Sequence, residues 1–221
     1  MNSNFAFQIE KKYISEEDVE KLSILFNKHF EKTDEYHPKE HIIQLNPNKK
    51  DFDTMLKFIR KKIEMYFKET HSFLDVKLEK EWFVKTQSRH VDMNNLPYIA
   101  HFDKHRYLKA MVYLDNVTID HGPIYLGRVS NPLSIEKRRK SLQKDYKIHG
   151  MNNITAKDIV RSMEPMNGNS GDVIFFDTNT AHHAGIVSEG FERRVIRFDF
   201  DVASFKNHSS ILKKILNYLF S

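Results

Sequence analysis

Cysteine is absent from this chain of 221 residues. That excludes disulfides, thiolate zinc sites and a thiol nucleophile, and it leaves a cytoplasmic address unopposed. Glycine and proline are scarce, at seven and six residues, so collagen-like and low-complexity structure are excluded. No uninterrupted apolar run approaches the ~18 residues of a membrane span, and no charged segment followed by an apolar run opens the chain. Neither secretion nor membrane spanning is therefore expected. A His-Glu-x-x-His helix is missing, which removes the common zinc-hydrolase pattern. Charge of either sign is not dominant: the net +5 suits an anionic substrate or co-substrate but is far from a nucleic-acid signature. Internal repeats and long linkers are also lacking, so residues 1–221 are expected to form a single domain.

What is present is a globular composition, 40% hydrophobic and 12% aromatic, arranged in two styles. The first part, to about residue 79, reads as helical. Ser15 is a candidate N-cap followed by Glu16, Glu17 and Asp18, and Val19, Leu22, Leu25, Phe26 and Phe30 recur at helical spacing. His41 to Leu45 reads as a short strand stopped by Asn46-Pro47-Asn48. A second helix is expected over Asp53 to Glu69, with Met55, Leu56, Ile59, Ile63, Tyr66 and Phe67 as its apolar stripe.

From about residue 80 to 203 the pattern changes to strands. Glu81–Gln87, Tyr98–Phe102, Arg106–Leu114, Pro123–Val129, Asp172–Asp177 and Arg193–Val202 are rich in aromatic and β-branched residues. Helical stretches are expected over Ser134–Lys147 and Thr155–Met163, and an amphipathic helix closes the chain over about 208–221. This order argues for an α+β fold: an antiparallel jelly roll with N-terminal helices covering one face and a C-terminal helix.

Within the strand region, His101 and Asp103 are two residues apart, so on a strand they project from one face about 7 Å apart along the chain. His182 follows eighty-one residues after His101, just beyond the buried run Val173 to Asp177. Two histidines and one carboxylate form the ligand set of non-haem Fe(II), a set that leaves three coordination positions open. Arg193 follows His182 by eleven residues and could hold the carboxylate of a co-substrate that chelates the metal. The combination points to an Fe(II)- and 2-oxoglutarate-dependent oxygenase. His183 and Arg194 are the adjacent alternatives in this site. Strand alternation puts Arg194, Ile196, Phe198 and Phe200 on one face and Arg193, Val195, Arg197 and Asp199 on the other. Greasiness alone would turn the Arg194 face inward.

The segments His101-Phe102-Asp103, Gly122-Pro123-Ile124-Tyr125-Leu126 and Gly171 through His182, together with Arg193, resemble the phytanoyl-CoA dioxygenase family and, within it, the ectoine hydroxylase branch. The resemblance covers about half the chain. It implies a double-stranded β-helix, cupin-like, with Fe(II) held by His101, Asp103 and His182. It also implies 2-oxoglutarate anchored by Arg193, O2 as the second co-substrate, and the register Asn179-Thr180-Ala181-His182 that selects His182 over His183. Halogenating relatives replace the carboxylate ligand with a small residue; Asp103 is retained, so hydroxylation with release of succinate and CO2 is expected. The family's Pro-Gly-Ser-His-like turn is replaced here by Gly127-Arg128-Val129-Ser130-Asn131-Pro132.

Gln87, Lys109 and Tyr113 are further candidates for contact with the co-substrate, set against ordinary strand packing. Trp82, Phe83 and Tyr98 are candidate pocket walls. The stretch between Val129 and Pro165 carries Lys137, Arg138, Arg139, Lys140, Lys144, Lys147, Lys157 and Arg161. Their interspersed acids make a solvated helix face the simpler reading, and a lid drawing an anionic small-molecule substrate the functional one.

Overall fold

A computed structural model describes residues 6–30, 41–45, 54–70, 76–88, 97–103, 106–128, 153–155 and 163–202. In chain order the elements are β1 (Phe7–Glu10), α1 (Glu16–Phe30), β2 (His41–Leu45), α2 (Thr54–Thr70), β3 (Val76–Gln87) and β4 (His101–Asp103). There follow β5 (Tyr107–Tyr113), β6 (Ile124–Gly127), β7 (Asn153–Thr155), β8 (Met163–Pro165), β9 (Val173–Asp177), β10 (His182–Ala184) and β11 (Glu192–Val202). Ser15 caps α1 as its position suggests, Oγ accepting from the Asp18 amide at 3.2 Å.

The strands form two sheets, in the orders β1-β9-β5-β11-β3-β2 and β7-β4-β10-β6-β8. Each ladder within them is antiparallel. Packed face to face they make the jelly roll. The larger sheet is covered on both sides at its centre, which explains why β5 and β9 read as nearly continuous apolar runs. Its outer face packs on the helices: Leu22 and Phe26 of α1 and Ile59, Ile63 and Phe67 of α2 meet Phe83, Phe175, Phe198 and Phe200. Phe26 lies 5.1 Å from Phe83, and Phe67 meets Phe175 edge-on at 5.3 Å. Each such side chain contributes about 1.5–3 kcal/mol on burial. Arg60 of α2 ties the layers together through paired 2.8 Å bonds to the buried Glu81.

Between the sheets lies a second core of Val84, Met111, Tyr113, Ile124, Leu126, Ile174, Phe176 and Val195. Strand β11 shows the division most clearly. Ile196, Phe198 and Phe200 face the helices, and Arg194 on that side is bonded to Asp115 and Asn27. Arg193, Val195, Arg197 and Asp199 face the interior of the roll. The greasier side of the strand thus points outward, because a helical layer waits there to cover it.

Some boundaries differ from the sequence reading. β3 begins at Val76, and the expected strand over Tyr98–Phe102 contracts to His101–Asp103 after a turn at Pro97 and Tyr98 and a bend at Ile99. The ends of the expected helix Thr155–Met163 are strand residues, because Thr155 pairs with His101 and Met163 with Gly127. The expected helices over Ser134–Lys147 and 208–221, and the basic residues from Lys137 to Arg161, lie outside the described residues. Among the described residues, no helix is long and apolar enough to cross a membrane.

Candidate metal centre and pocket

The loop that delivers His182 is built from buried polar groups. Asp177, at the end of β9, takes a bidentate pairing from Arg106, with contacts down to 2.5 Å, and accepts from the Asn179 amide at 2.8 Å. Thr178 Oγ1 accepts from the Tyr107 amide at 2.7 Å, and Thr180 donates to the Ala6 carbonyl at 3.1 Å. These bonds restrain the loop, although Asn179 Oδ1 is buried without a hydrogen-bond partner. His182 then enters β10, where it pairs with His101 of β4 on one side and Leu126 of β6 on the other.

His101, Asp103 and His182 meet, all three buried, with one ligand atom from each lying within 4.8 Å of the others. Asp103 Oδ1 stands 3.9 Å from His101 Nε2 and 3.5 Å from His182 Nε2. Both rings are oriented by backbone: His101 Nδ1 is 2.7 Å from the Ile99 carbonyl and His182 Nδ1 is 3.0 Å from the Thr180 carbonyl. A carbonyl only accepts, so each Nδ1 carries the proton and each Nε2 offers a lone pair toward the shared space. Burial, followed by the neighbouring His182, pushes His101 down to about 3, so its ring is neutral and ready to ligate. For Asp103, burial opposes the charge, but Lys109 and the two histidines outweigh it and hold the carboxyl well below its usual range. Lys109 Nζ donates to Asp103 Oδ2 at 2.5 Å. Lys109 thus holds Oδ2, while Oδ1 faces the Nε2 atoms of both histidines. Two imidazoles and one carboxylate oxygen fit a first-row divalent ion.

The cluster opens into a cavity of about 320 Å³ between the sheets. Arg193 lines it at 3% exposure. Its guanidinium donates to the Gly122 carbonyl and lies 3.4 Å from Thr86 Oγ1, while its buried Nε has no hydrogen-bond partner. Gly122 adopts φ +64°, a conformation that favours glycine, and packs against the backbone of Gly185 and Ile186. Arg194 points to the opposite side of the sheet. His183 also borders the cavity, stacked on Tyr125 with ring centroids 4.6 Å apart, but stands outside the ligand cluster.

The other candidates divide. Lys109 lines the cavity through its pairing with Asp103. Gln87 does not line it; Nε2 donates to Glu192 at 3.1 Å, because the strand end leaves it beside that carboxylate. Tyr113 is fully buried beneath the cavity, its hydroxyl donating to the Met166 carbonyl at 2.7 Å. Trp82 is a wall, whereas Phe83 faces the helices and Tyr98 gives its place to Pro97. Sequence reasoning passed over Lys80, Arg197 and Asp199, which also line the cavity. The alternation that placed Arg193 also places Arg197 and Asp199, so the signal was there.

A family model described as phytanoyl-CoA dioxygenase (PhyH) matches residues 7–195. No curated protein matches the chain by sequence. Among solved structures, the epimerase SnoN in complex with Fe3+, alpha-ketoglutarate and nogalamycin RO is similar with a TM-score of 0.66 at 12% identity, covering 90% of this chain and 79% of that one. The non-haem alpha-ketoglutarate-dependent carbocyclase SnoK from nogalamycin biosynthesis is similar at 0.59 and 12%, covering 89% and 79%. HygX from Streptomyces hygroscopicus, with nickel and 2-oxoglutarate bound, is similar at 0.56 and 13%, covering 90% and 84%. At such identities these likenesses concern the fold.

Proposed function

Because the chain belongs to the phytanoyl-CoA dioxygenase family, whose members are Fe(II)- and 2-oxoglutarate-dependent oxygenases, we propose that this protein hydroxylates a C–H bond of a small molecule. The observation that carries the proposal is the convergence of His101, Asp103 and His182 at the wall of a confined cavity. An intact carboxylate ligand favours oxygen insertion over halogenation. The likeness to the ectoine hydroxylase branch, carried by Gly122–Leu126 and the run into His182, supports the same reading. The whole chain is read as one oxygenase domain acting in the cytoplasm.

A ferrous ion with 2-oxoglutarate bound would supply O2-dependent oxidation with release of succinate and CO2. The chain's own residues do the rest. His101 and His182 present Nε2 lone pairs, each fixed by a carbonyl on its far nitrogen. Asp103 presents Oδ1 while Lys109 restrains Oδ2. Arg193, buried and with an unused donor at Nε, is the anchor we assign to the far carboxylate of 2-oxoglutarate, a charge-assisted contact made strong by the dry setting. Met111, Ile124 and Phe176 line the cavity and keep water from the reacting carbon.

Anaerobic Fe(II) plus 2-oxoglutarate should produce a visible charge-transfer band that Asp103→Ala loses. Absence of the band in the unaltered protein would end the oxygenase reading. The epimerase and the carbocyclase among the similar structures make reaction outcome a separate question. Turnover under 18O2 answers it: hydroxylation places one labelled oxygen in the organic product, whereas epimerisation or ring closure places none.

A further inference from the structure

The cavity carries more positive charge than the chemistry consumes. Lys80, Lys109, Arg193 and Arg197 line it, against Asp103 and Asp199 as its acids. A divalent metal and dianionic 2-oxoglutarate cancel each other, so with both in place an excess of two positive charges remains. Two of the cations face each other across a ladder away from the metal ligands. Arg197 of β11 pairs with Trp82 of β3, and Asp199 pairs with Lys80. Arg197 and Lys80 are therefore diagonal neighbours on one face, about 7–8 Å apart at the backbone and within common reach of one small group.

The cluster is organised for a ligand. Asp199, 4% exposed, accepts from Trp82 Nε1 at 3.1 Å and from Arg197 Nη2 at 3.2 Å through Oδ2. Those bonds hold the Arg197 guanidinium 5.1 Å from the centre of the Trp82 ring. Arg197 Nε lies 3.0 Å from Asp199 Oδ1, yet both atoms are buried without a hydrogen bond. Among the described residues the Lys80 side chain forms no ion pair or hydrogen bond. A guanidinium fixed by Asp199, an ammonium without a side-chain partner among the described residues and an aromatic wall together make a recognition surface for a carboxylate or phosphate attached to an organic body.

We infer that the substrate carries an anionic group, carboxylate or phosphate, which seats on Arg197 and Lys80 beside Trp82 while its oxidisable carbon faces the metal ligands. The inference rests on the oxygenase reading. Asp199 and Trp82 are positioning residues for Arg197.

Trp82 is the sole tryptophan of the chain, so its emission reports this subsite directly. The test uses protein loaded with Mn(II) and 2-oxoglutarate, titrated with phenyl phosphate, benzoate and neutral benzyl alcohol. Saturable changes with either anion, at least tenfold tighter than with benzyl alcohol, support the inference; the stronger anion identifies the group. Arg197→Gln and Lys80→Met should each weaken anion binding about tenfold, the worth of one charge-assisted bond, and leave benzyl alcohol unchanged. Equal binding of the neutral probe, or anion binding unaltered in both variants, overturns it. So does loss of the Fe(II)–2-oxoglutarate band on adding the anion, because the probe would then occupy Arg193. A band that forms and persists while the anions fail sinks only this subsite; a band that never forms sinks the oxygenase reading and the subsite with it.

Discussion

Replacing Lys109 by methionine deletes one positive charge beside Asp103 and keeps most of the aliphatic stem. Both side chains are about one-tenth exposed, and the ammonium sits 2.5 Å from Oδ2. Removing one partner from a buried ion pair costs about 3–5 kcal/mol, less where the abandoned carboxylate can take up a proton. An expected loss of about 3 kcal/mol lowers Tm by about 6–12 °C for a chain of this size. That holds for the metal-free protein. A divalent ion at Oδ1 restores a cation to Asp103 and is relieved of repulsion from the ammonium, so it should stabilise the variant more than the parent. Melting both proteins in EDTA and in saturating Mn(II) measures this directly. The Tm gap should shrink to less than half with metal. By linkage, each ~1.4 kcal/mol of shrinkage means about tenfold tighter Mn(II) binding by the variant. A gap of equal size in both conditions would refute the reasoning and reduce Lys109 to packing.

Three further outcomes are expected. Arg193→Met should weaken 2-oxoglutarate binding about ten- to hundredfold, followed by the charge-transfer band, whereas Arg194→Ala should leave that affinity unchanged and lower Tm through the lost Asp115 and Asn27 bonds; the reverse pattern would move the anchor to Arg194. Gly185→Ala should impair folding and 2-oxoglutarate binding together, because a Cβ there would stand 2.5 Å from the Pro123 carbonyl oxygen and 2.8 Å from the Gly122 carbonyl carbon, whose oxygen accepts from Arg193; wild-type behaviour in both melting and titration would show the approach to be looser. Asp172 accepts from Lys11 Nζ and from the amides of Lys12 and Asn169; these partners outweigh burial and hold its carboxyl below the ordinary 3.8. Its contribution is present above that pH and is lost as pH falls through the lower folded value, so Asp172→Asn should cost about 2 kcal/mol near neutrality and flatten the acid limb of denaturant-derived stability below it.

The cluster of His101, Asp103 and His182 was legible because geometry on a strand is simple: His101 and Asp103 had to share a face, and His182 followed a buried strand at a plausible remove. The helices were legible from their apolar stripes and from Ser15. The length of β4 was less so, since Tyr98 to Ala100 look strand-like in composition but turn to bring the Ile99 carbonyl onto His101. Gln87 and Tyr113 have the right chemistry for a co-substrate contact, and only tertiary neighbours decide that one meets Glu192 and the other the Met166 carbonyl. The roles of Asp177 and Arg106 were invisible for a similar reason. A bidentate pair spanning 71 residues leaves no local periodicity to read.

Strand β10 is three residues long, yet its first residue is bonded on both sides, to β4 and to β6. Peptide groups rather than side-chain packing thus set the spacing of the two imidazoles. An incoming ion meets a template already cast, and its departure leaves that template standing. Chelation should consequently occur with little reorganisation, and the far-UV circular dichroism spectrum should be the same in EDTA as in metal.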